Sequence, residues 1–219
     1  MTISICIIAT RKYKVFIAPL LDGIKRYFFT NDEVQVMMFT DELSYFDNLI
    51  KEQHDRVSIT PVSIPDFKFP QVTLYRYSII DEHRAKIKGD YIFYSDADMA
   101  IVGNVGHEIL HDGLIATHHP GFHKREDYYA GGFQGGKRLP FLTAAHLMSN
   151  KIIADELRGW KPEHNDEWYW NEYLKTEPFK ALPPSYCMVE QPHLRKHWGI
   201  AHFEPKIIAL SKDHKTIRE

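Results

Sequence analysis

Two aspartates, Asp96 and Asp98, stand one residue apart at the end of an apolar run. The run from Tyr91 to Tyr94 has the aromatic and β-branched composition of a buried strand. Alternation along such a strand puts both carboxylates on one face at its carboxyl end, where open α/β sheets bind ligands. Two hard carboxylate oxygens there suit Mn²⁺ or Mg²⁺, with a diphosphate supplying further oxygens. A polar turn that binds nothing is the plain alternative for so short a motif.

Asp166 and Glu167 form a second acidic pair, at the start of a predicted helix. Acidic residues in a first helical turn commonly do no more than cap the helix and interact with its dipole. The neighbouring Trp168 and Tyr169 favour partial burial instead, and a buried carboxylate in a cleft is a candidate nucleophile or base. The residues alone leave both interpretations open.

Three other segments resemble functional motifs incompletely. His107 to His111 matches the metalloprotease pattern H-E-x-x-H, but glycines on both sides leave room for barely one helical turn and the later ligand is absent. The segment 131–138 follows the P-loop pattern until Arg138 replaces the Ser or Thr that binds Mg²⁺. Both activities are therefore disfavoured, and we interpret the glycine-rich stretch 118–138 as the wall of a site. The basic residues from Lys212 to Arg218 are typical of a solvated tail but could clamp a diphosphate.

Composition narrows the possible partners. The chain has 219 residues, a mass of 25.7 kDa and 44% hydrophobic residues, which fits one domain with a sizeable core. Its 27 Lys and Arg against 29 Asp and Glu give a net charge of -2, which argues against nucleic acid and anionic membranes as partners. Cys6 and Cys187 are predicted to be buried thiols in a reducing compartment. Residues 1–10 form neither a signal peptide nor a membrane span, so we expect a cytoplasmic protein.

Strand-like and helix-like segments alternate along the chain. Strands are predicted at 3–9, 34–39, 56–62 and 90–94, with a short one in the tail after Pro205. Helices are predicted at 12–28, 73–87, 140–148 and 166–174. This order is typical of an α/β protein with a largely parallel sheet.

Taken together, these pieces resemble glycosyltransferase family 6, the family of the histo-blood-group A and B transferases and the α-1,3-galactosyltransferases. The shared segments, in chain order, are IIATRKY, FTDE, YIFYSDADMAIVGNVGHEIL, HHPGF, YYAGGFQGG, NDEWYWNEYL, LPPSY and LSKDHKTIRE. HPGF followed by YY-x-GGF-x-GG is highly specific in combination. Since the chain keeps both acids of the D-x-D motif, it resembles the bacterial or phage members that have this motif.

The resemblance implies a GT-A type glycosyltransferase fold, with a Rossmann-like, mostly parallel central sheet flanked by helices. It implies one catalytic domain over 1–219, with a nucleotide-binding half (1–98), a donor-sugar and acceptor half (99–219) and a tail (205–219). The implied activity is retaining transfer of GalNAc or Gal from a UDP-sugar to a galactose-type acceptor, through an α-1,3 bond. A nucleotide-sugar hydrolase, a nucleotidyltransferase and a non-catalytic sugar-binding module are the alternatives.

The family's site residues carry over position by position. Donor-binding roles fall on Ile8, Ala9, Thr10, Tyr13, Arg76, Asp96, Ala97, Asp98, Asp166, Lys212 and Arg218. Acceptor or sugar contacts fall on His119, Ala130, Gly131, Gly132 and Trp168. Asp96 and Asp98 would hold Mn²⁺, or Mg²⁺ in its place, and through it the diphosphate. Glu167 would be the catalytic carboxylate, either as a covalent nucleophile or as the stabiliser of an oxocarbenium-like state during front-face attack.

The resemblance also implies a preference among donors. Small residues at Ala130 and Gly132 leave space for an N-acetyl group, which favours UDP-GalNAc as donor. The chain differs from the mammalian pattern in three places: the segment from His123 to Tyr128 is shorter, Asn165 replaces a His, and Val189 stands where an acceptor-binding acid is expected. The acceptor is accordingly the least determined part of the prediction.

Overall fold

A computed structural model of the chain describes residues 1–51, 54–122 and 128–218. The strands are β1 (Thr2–Ile8), β2 (Glu33–Thr40), β3 (Val57–Ser63), β4 (Tyr91–Asp96), β5 (Met99–Ile101), β6 (Leu114–His118), β7 (Tyr129–Lys137), β8 (Phe179–Leu182), β9 (Met188–Val189) and β10 (Ile207–Ala209). The α-helices are α1 (Ile17–Tyr27), α2 (Asp47–Lys51), α3 (Gln71–Leu74), α4 (Arg76–Glu82), α5 (Arg138–Leu157), α6 (Asn165–Leu174), α7 (Pro192–His197) and α8 (His214–Ile217).

Seven strands form the central sheet, in the order β3-β2-β1-β4-β7-β6-β8. The strands from β3 to β4 pair in parallel, β7 runs antiparallel to both of its neighbours, and β6 pairs with β8 in parallel. Strand β1 is apolar on both faces because Ile5 packs into the core on one side of the sheet and Cys6 into the core on the other. The predicted GT-A type α/β fold with a mostly parallel sheet is confirmed.

A second, three-stranded sheet joins the D-x-D segment to the C-terminal tail. Its order is β5-β10-β9, so the strand that follows Asp98 pairs with the strand that precedes the tail. The backbone N–H of Leu210 also donates to the Asp98 carbonyl at 2.8 Å. These contacts place the start of the tail beside the carboxyl end of β4.

Two predicted helices are shorter than expected. The predicted helix 12–28 begins as a 3₁₀ turn over Arg11–Phe16 and becomes α1 only at Ile17. The predicted helix 73–87 is divided into α3 and α4 and ends at Glu82. The side chain of Gln35 in β2 accounts for the early end, because it donates to the Lys86 carbonyl and accepts from the Lys88 N–H. Those two bonds hold residues 86–88 outside the helix.

The glycine-rich segment 131–136, interpreted from the sequence as part of a site wall, is a strand. It forms most of β7, between β4 and β6. Glycine is required at Gly135 because a Cβ atom there would lie 2.5 Å from the Ile92 carbonyl oxygen of β4. The absence of side chains therefore serves close strand packing as well as the site.

Helix α5 is more than twice as long as the predicted helix 140–148, since it spans 20 residues. Its inner face is apolar as expected, but its outer face also carries leucine and isoleucine, so the 3.6-residue periodicity is weak in the sequence. Both cysteines are buried and unpaired, as predicted. Among the helices of the described residues, none combines the length and the apolar character that crossing a bilayer requires.

Candidate active site

A cavity of about 130 Å³ lies at the carboxyl ends of β1 and β4, where the parallel strands end. Its lining includes these residues predicted to bind the donor: Ile8, Thr10, Tyr13, Asp96, Ala97, Asp98, Lys212 and Arg218. Ala9 is fully buried beside it. The sequence analysis gave no donor-binding role to Phe69, Val72, Thr73, Tyr94 and His214, which also line it. Phe69 and Val72 lie far from every motif, so only the fold brings them here.

The two D-x-D carboxylates have different surroundings. The side chain of Asp96 is 35% exposed, and its Oδ1 atom accepts hydrogen bonds from the Tyr94 hydroxyl at 2.8 Å and from Arg76 Nη2 at 3.2 Å. The side chain of Asp98 is only 6% exposed, and its carboxylate contacts the Lys212 ammonium group. The second oxygen of Asp96 and the Asp98 oxygen that Lys212 does not contact remain as oxygen ligands for a cation.

Within the described parts of the chain, no group of three or more His, Cys, Asp or Glu side chains is arranged to hold a metal ion. A cation at Asp96 and Asp98 would therefore take its remaining ligands from the bound substrate or from water. Oxygen-only ligands of this kind fit Mn²⁺ or Mg²⁺, which are often bound through one or two carboxylates together with substrate phosphates.

Arg76 connects the cavity to the acidic pair of α6. This side chain is buried, and it binds Asp96, the Gly131 carbonyl through Nη1 at 2.7 Å, and Asp166 through Nε at 3.0 Å. Its guanidinium carbon also lies 4.3 Å from the centre of the Tyr94 ring. Burial opposes the charge on Arg76, but the carboxylates of Asp166 and Asp96 raise its pKa overall. The positive charge of Arg76 thus bridges Asp96 of the D-x-D motif and Asp166 of α6.

Asp166 and Glu167 occupy the first turn of α6, where the positive end of the helix dipole stabilises negative charge. Asp166 is buried, and that burial raises its pKa to about 7 even though Arg76 acts in the opposite direction. Glu167 Oε2 accepts the Gly131 backbone N–H at 2.7 Å. Since Arg76 binds the carbonyl of the same glycine, Gly131 links Glu167 to the D-x-D motif through one residue.

Two asparagines that the sequence analysis did not assign to this task hold α6 in place. The side-chain amide of Asn171 accepts a hydrogen bond from the Tyr129 backbone N–H and donates one to the Tyr129 carbonyl, each 2.8 Å long, as a neighbouring strand would. It also donates to the Glu167 carbonyl at 2.8 Å. Asn165 has a φ of 49°, the left-handed conformation that asparagine tolerates better than most residues, and it starts the helix one residue before Asp166. Both residues orient the acidic pair towards β7.

The remaining residues predicted to contact sugar are divided between two places. The ring of His119 lies 4.8 Å from Phe122 and 5.8 Å from Tyr128, and burial lowers its pKa, an effect that Glu167 partly opposes. Burial raises the pKa of the Tyr128 hydroxyl, and the nearby Glu167 carboxylate raises it further. Trp168 instead packs edge-on against Trp160 and Tyr169. The structure brings His119 near Glu167 and places the Trp168 ring in a separate aromatic cluster.

The short segment predicted to select the donor is tightly packed. Ala130 is 2% exposed and belongs to the core. A Cβ atom at Gly132 would lie 3.2 Å from Cys187 Sγ and 3.4 Å from Asp96 Oδ2. The shortened segment 123–127, which we expected to alter acceptor contacts, lies outside the described residues.

The C-terminal tail covers the cavity on the solvent side. Lys212 reaches Asp98, and the guanidinium of Arg218 stacks 3.7 Å over the Phe69 ring. Both cations therefore line the same cavity as the D-x-D carboxylates.

The metalloprotease-like motif is structural. His107 to Ile109 form a single 3₁₀ turn, which is too short to place two histidines on one helical face. His107 bonds to Asp32 at 2.7 Å and Glu108 to Lys206 at 2.8 Å, so both side chains have partners away from the cavity. The expectation that this motif binds no catalytic zinc agrees with that geometry.

Comparison with known proteins gives a consistent picture. A family model described as Glycosyltransferase family 6 matches residues 1–127, more than half of the chain. Histo-blood group ABO system transferases 1 and 2 of Rattus norvegicus are each 27% identical over 99% of this chain, which covers 68% and 71% of their lengths. Globoside alpha-1,3-N-acetylgalactosaminyltransferase 1 of Canis lupus familiaris is 25% identical over 85% of this chain and 60% of its own length.

The match to the family, the parallel sheet and the acidic cavity at its carboxyl edge lead to one conclusion: this chain belongs to glycosyltransferase family 6.

Proposed function

We propose that this chain is a retaining glycosyltransferase that moves GalNAc or Gal from a UDP-sugar to a galactose-type acceptor through an α-1,3 bond. The observation that carries the proposal is the link through Arg76 and Gly131, which joins Asp96 of the D-x-D motif to Glu167. Transfer needs both ends of that link: one holds the leaving diphosphate, and the other faces the sugar.

The diphosphate end is formed by Asp96, Asp98, Lys212 and Arg218. A divalent cation bound by the two aspartates would neutralise the charge that develops on the departing UDP. Lys212 and Arg218 would bind the diphosphate from the solvent side and exclude water when the tail is closed. Ile8, Thr10 and Tyr13 line the part of the cavity at the end of β1 and would hold the nucleoside.

The sugar end is formed by Asp166 and Glu167. The Gly131 N–H holds Oε2 of Glu167, and the carboxylate would face the anomeric carbon of a bound donor. From there it can act as a nucleophile or stabilise positive charge on the sugar ring, and either role gives retention. Asp166 would accept hydroxyl groups of the donor sugar, and His119 would contact the acceptor.

Both proposed halves contribute to this site, since Arg76 belongs to 1–98 and Asp166 and Glu167 belong to 99–219. That sharing supports one catalytic domain over 1–219. Among the donors we propose UDP-GalNAc as the preferred substrate, because Ala130, Gly131 and Gly132 place little or no side chain beside a 2-substituent.

The test is a transfer assay with UDP-GalNAc, UDP-Gal and UDP-Glc, each with and without Mn²⁺, against a panel of galactosides. We expect metal-dependent formation of a glycoside, fastest with UDP-GalNAc, and loss of that product in Asp98→Asn and Glu167→Gln. UDP release that a chelator or Asp98→Asn leaves unchanged would refute the metal site. Free sugar in place of glycoside would identify a hydrolase instead.

A further inference from the structure

The outer face of α5 exposes an unusual amount of apolar surface. Six exposed residues along it, which we call the outer face, are Leu139, Thr143, Leu147, Asn150, Ile153 and Leu157; the exposed His146, which bonds to Asp81 at 2.8 Å, lies among them. Leu139 and Leu157 are 70% and 85% exposed. At 100° per residue all six lie within about 120° of the helix circumference, so they form one continuous stripe about 30 Å long. A single exposed leucine is ordinary, but a stripe along a whole helix is typical of a surface that contacts another protein.

A hollow of about 470 Å³ flanks the first half of this stripe, on the side towards α6. Its apolar walls include Leu139, Leu147, Tyr173 and Pro178. Asp112 and Glu177 also line it, and both are exposed. Asp112 pairs with Lys137 at 2.7 Å, but both side chains of that ion pair stay more than half exposed to solvent. The hollow therefore suits an apolar side chain that is accompanied by a positive charge.

The other end of the same helix carries that combination. Leu157 protrudes, and the next residue, Arg158, has 76% of its side chain exposed. Arg158 has a partner of its own in Asp155, but at 3.9 Å this is a long ion pair, and Asp155 is bound more closely by Lys151 at 2.6 Å. At 100° per residue, Arg158 lies to one side of the stripe, the same side on which Leu147 lines the hollow.

We propose that two copies of this chain associate through the outer face of α5 in an antiparallel, two-fold arrangement. Leu157 of each copy enters the hollow of the other, and Arg158 faces the partner's Asp112 and Glu177. Such an interface is isologous, so every contact occurs twice.

The spacing along the helix agrees with this arrangement. Placing the two-fold axis at Asn150 puts Leu147 opposite the partner's Ile153, and Thr143 opposite the partner's Leu157. A two-fold axis perpendicular to an antiparallel helix pair brings the α6 side of one copy against the α6 side of the other. Arg158 and the acidic residues of the hollow lie on that same side, so hydrophobic and charge complementarity hold in one register.

A second copy fits this surface better than an anionic lipid surface does. Asp112 and Glu177, which line the hollow, would repel an anionic lipid headgroup, whereas a second copy brings Arg158 to them. One helix face with its hollow is smaller than the roughly 800 Å² per partner of a standard interface. We therefore expect a reversible dimer with a dissociation constant in roughly the micromolar range.

Sedimentation equilibrium over a range of protein concentrations tests the association. We expect the mass to rise from 25.7 kDa towards twice that value. Leu157→Glu should remain monomeric with unchanged thermal unfolding, while the matched control Leu43→Glu, at an exposed leucine on another surface, should associate like the natural chain. A monomer at every concentration, or a dimer that Leu157→Glu does not weaken, would overturn the proposal.

Two further variants test the register. Arg158→Glu should weaken the dimer at least tenfold, and adding Asp112→Lys and Glu177→Lys to the same chain should restore it. Asn150→Cys should form an intermolecular disulfide under mild oxidation much faster than Asp22→Cys on α1, because only residue 150 lies on the proposed axis. Equal cross-linking rates, or no recovery on charge reversal, would contradict the arrangement. So would association with phosphatidylglycerol vesicles by a chain that stays monomeric in solution.

Discussion

Replacement of Arg76 by methionine is the perturbation that the buried network predicts most sharply. The substitution keeps much of the side-chain volume and removes the only cation that contacts Asp166 among the described ion pairs. Both side chains of that pair are nearly inaccessible, at 4% and 6% exposure. Removing one partner of a buried ion pair costs about 3–5 kcal/mol, because the other charge stays buried without compensation. The contribution from Asp96 is small by comparison, since its side chain is one-third exposed.

The expected loss of unfolding free energy is larger at high pH than at low pH. Burial already raises the pKa of Asp166 to about 7, and loss of Arg76 raises it further. At pH 8 the orphaned carboxylate must be charged in the fold or take up a proton at a cost, so the destabilisation is greatest there. At pH 5.5 the carboxyl group is protonated in the native state of the variant, and the destabilisation should be smaller.

Urea unfolding in metal-free buffer, followed by tryptophan fluorescence at both pH values, measures the effect. Arg26→Met is the matched control, because Arg26 pairs with Asp22 at 2.9 Å on an exposed surface and should change the unfolding free energy by less than about 0.5 kcal/mol. Arg76→Met combined with Asp166→Asn should recover at least half of the loss, since the buried charge is gone. A loss below about 1 kcal/mol at pH 8, or a double variant no more stable than the single one, would refute the reasoning.

Three other predictions concern the acidic pair and its supports. The free energy of unfolding of the wild-type protein should fall as the pH rises from about 4 to 7, because the native Asp166 carboxyl group binds its proton more tightly than the unfolded one, whose pKa is about 3.9. Asp166→Asn should remove that fall. Urea unfolding of both proteins across this pH range checks the prediction, and a difference between them that does not change with pH contradicts it. Asn171→Ala should lower the free energy of unfolding by about 3 kcal/mol, because it breaks three hydrogen bonds of 2.8 Å and leaves buried backbone groups unpaired. Urea denaturation measures this loss. A change below about 1 kcal/mol would show that water replaces the amide. Gly131→Ala places a Cβ atom 3.3 to 3.6 Å from three charged groups, including Glu167, so kcat should fall at least about tenfold. The control variant Gly106→Ala, whose Cβ atom meets only Glu108, should keep its activity.

The D-x-D motif shows what the sequence could predict. The continuous apolar run from Tyr91 to Tyr94 identifies β4, and the rule that parallel sheets bind ligands at their carboxyl ends then places Asp96 at the cavity. The role of Glu167 could not be reached in this way, because an acidic residue in a first helical turn has an ordinary structural explanation. Only the resemblance to a family singled it out, and the contact with Gly131 provides its geometry.

Residues that act through tertiary contacts escaped prediction for a physical reason. Asn171 replaces a missing strand partner of Tyr129, and Phe69 supports Arg218 from a distant loop. Neither residue type has a local pattern that indicates such a task. Helix α5 was underestimated for a different reason: its exposed face is apolar, which removes the periodic contrast on which a helix prediction depends.

The anomeric configuration and linkage of the product test the central claim most directly. Incubation of the protein with UDP-GalNAc, Mn²⁺ and a β-galactoside, followed by proton NMR of the isolated product, distinguishes the possible outcomes. Transfer by Glu167 from the face opposite the leaving group, or its stabilisation of front-face attack, predicts an α-linked sugar on the 3-hydroxyl of galactose. A β-linked product, or free GalNAc with no glycoside, would contradict the account.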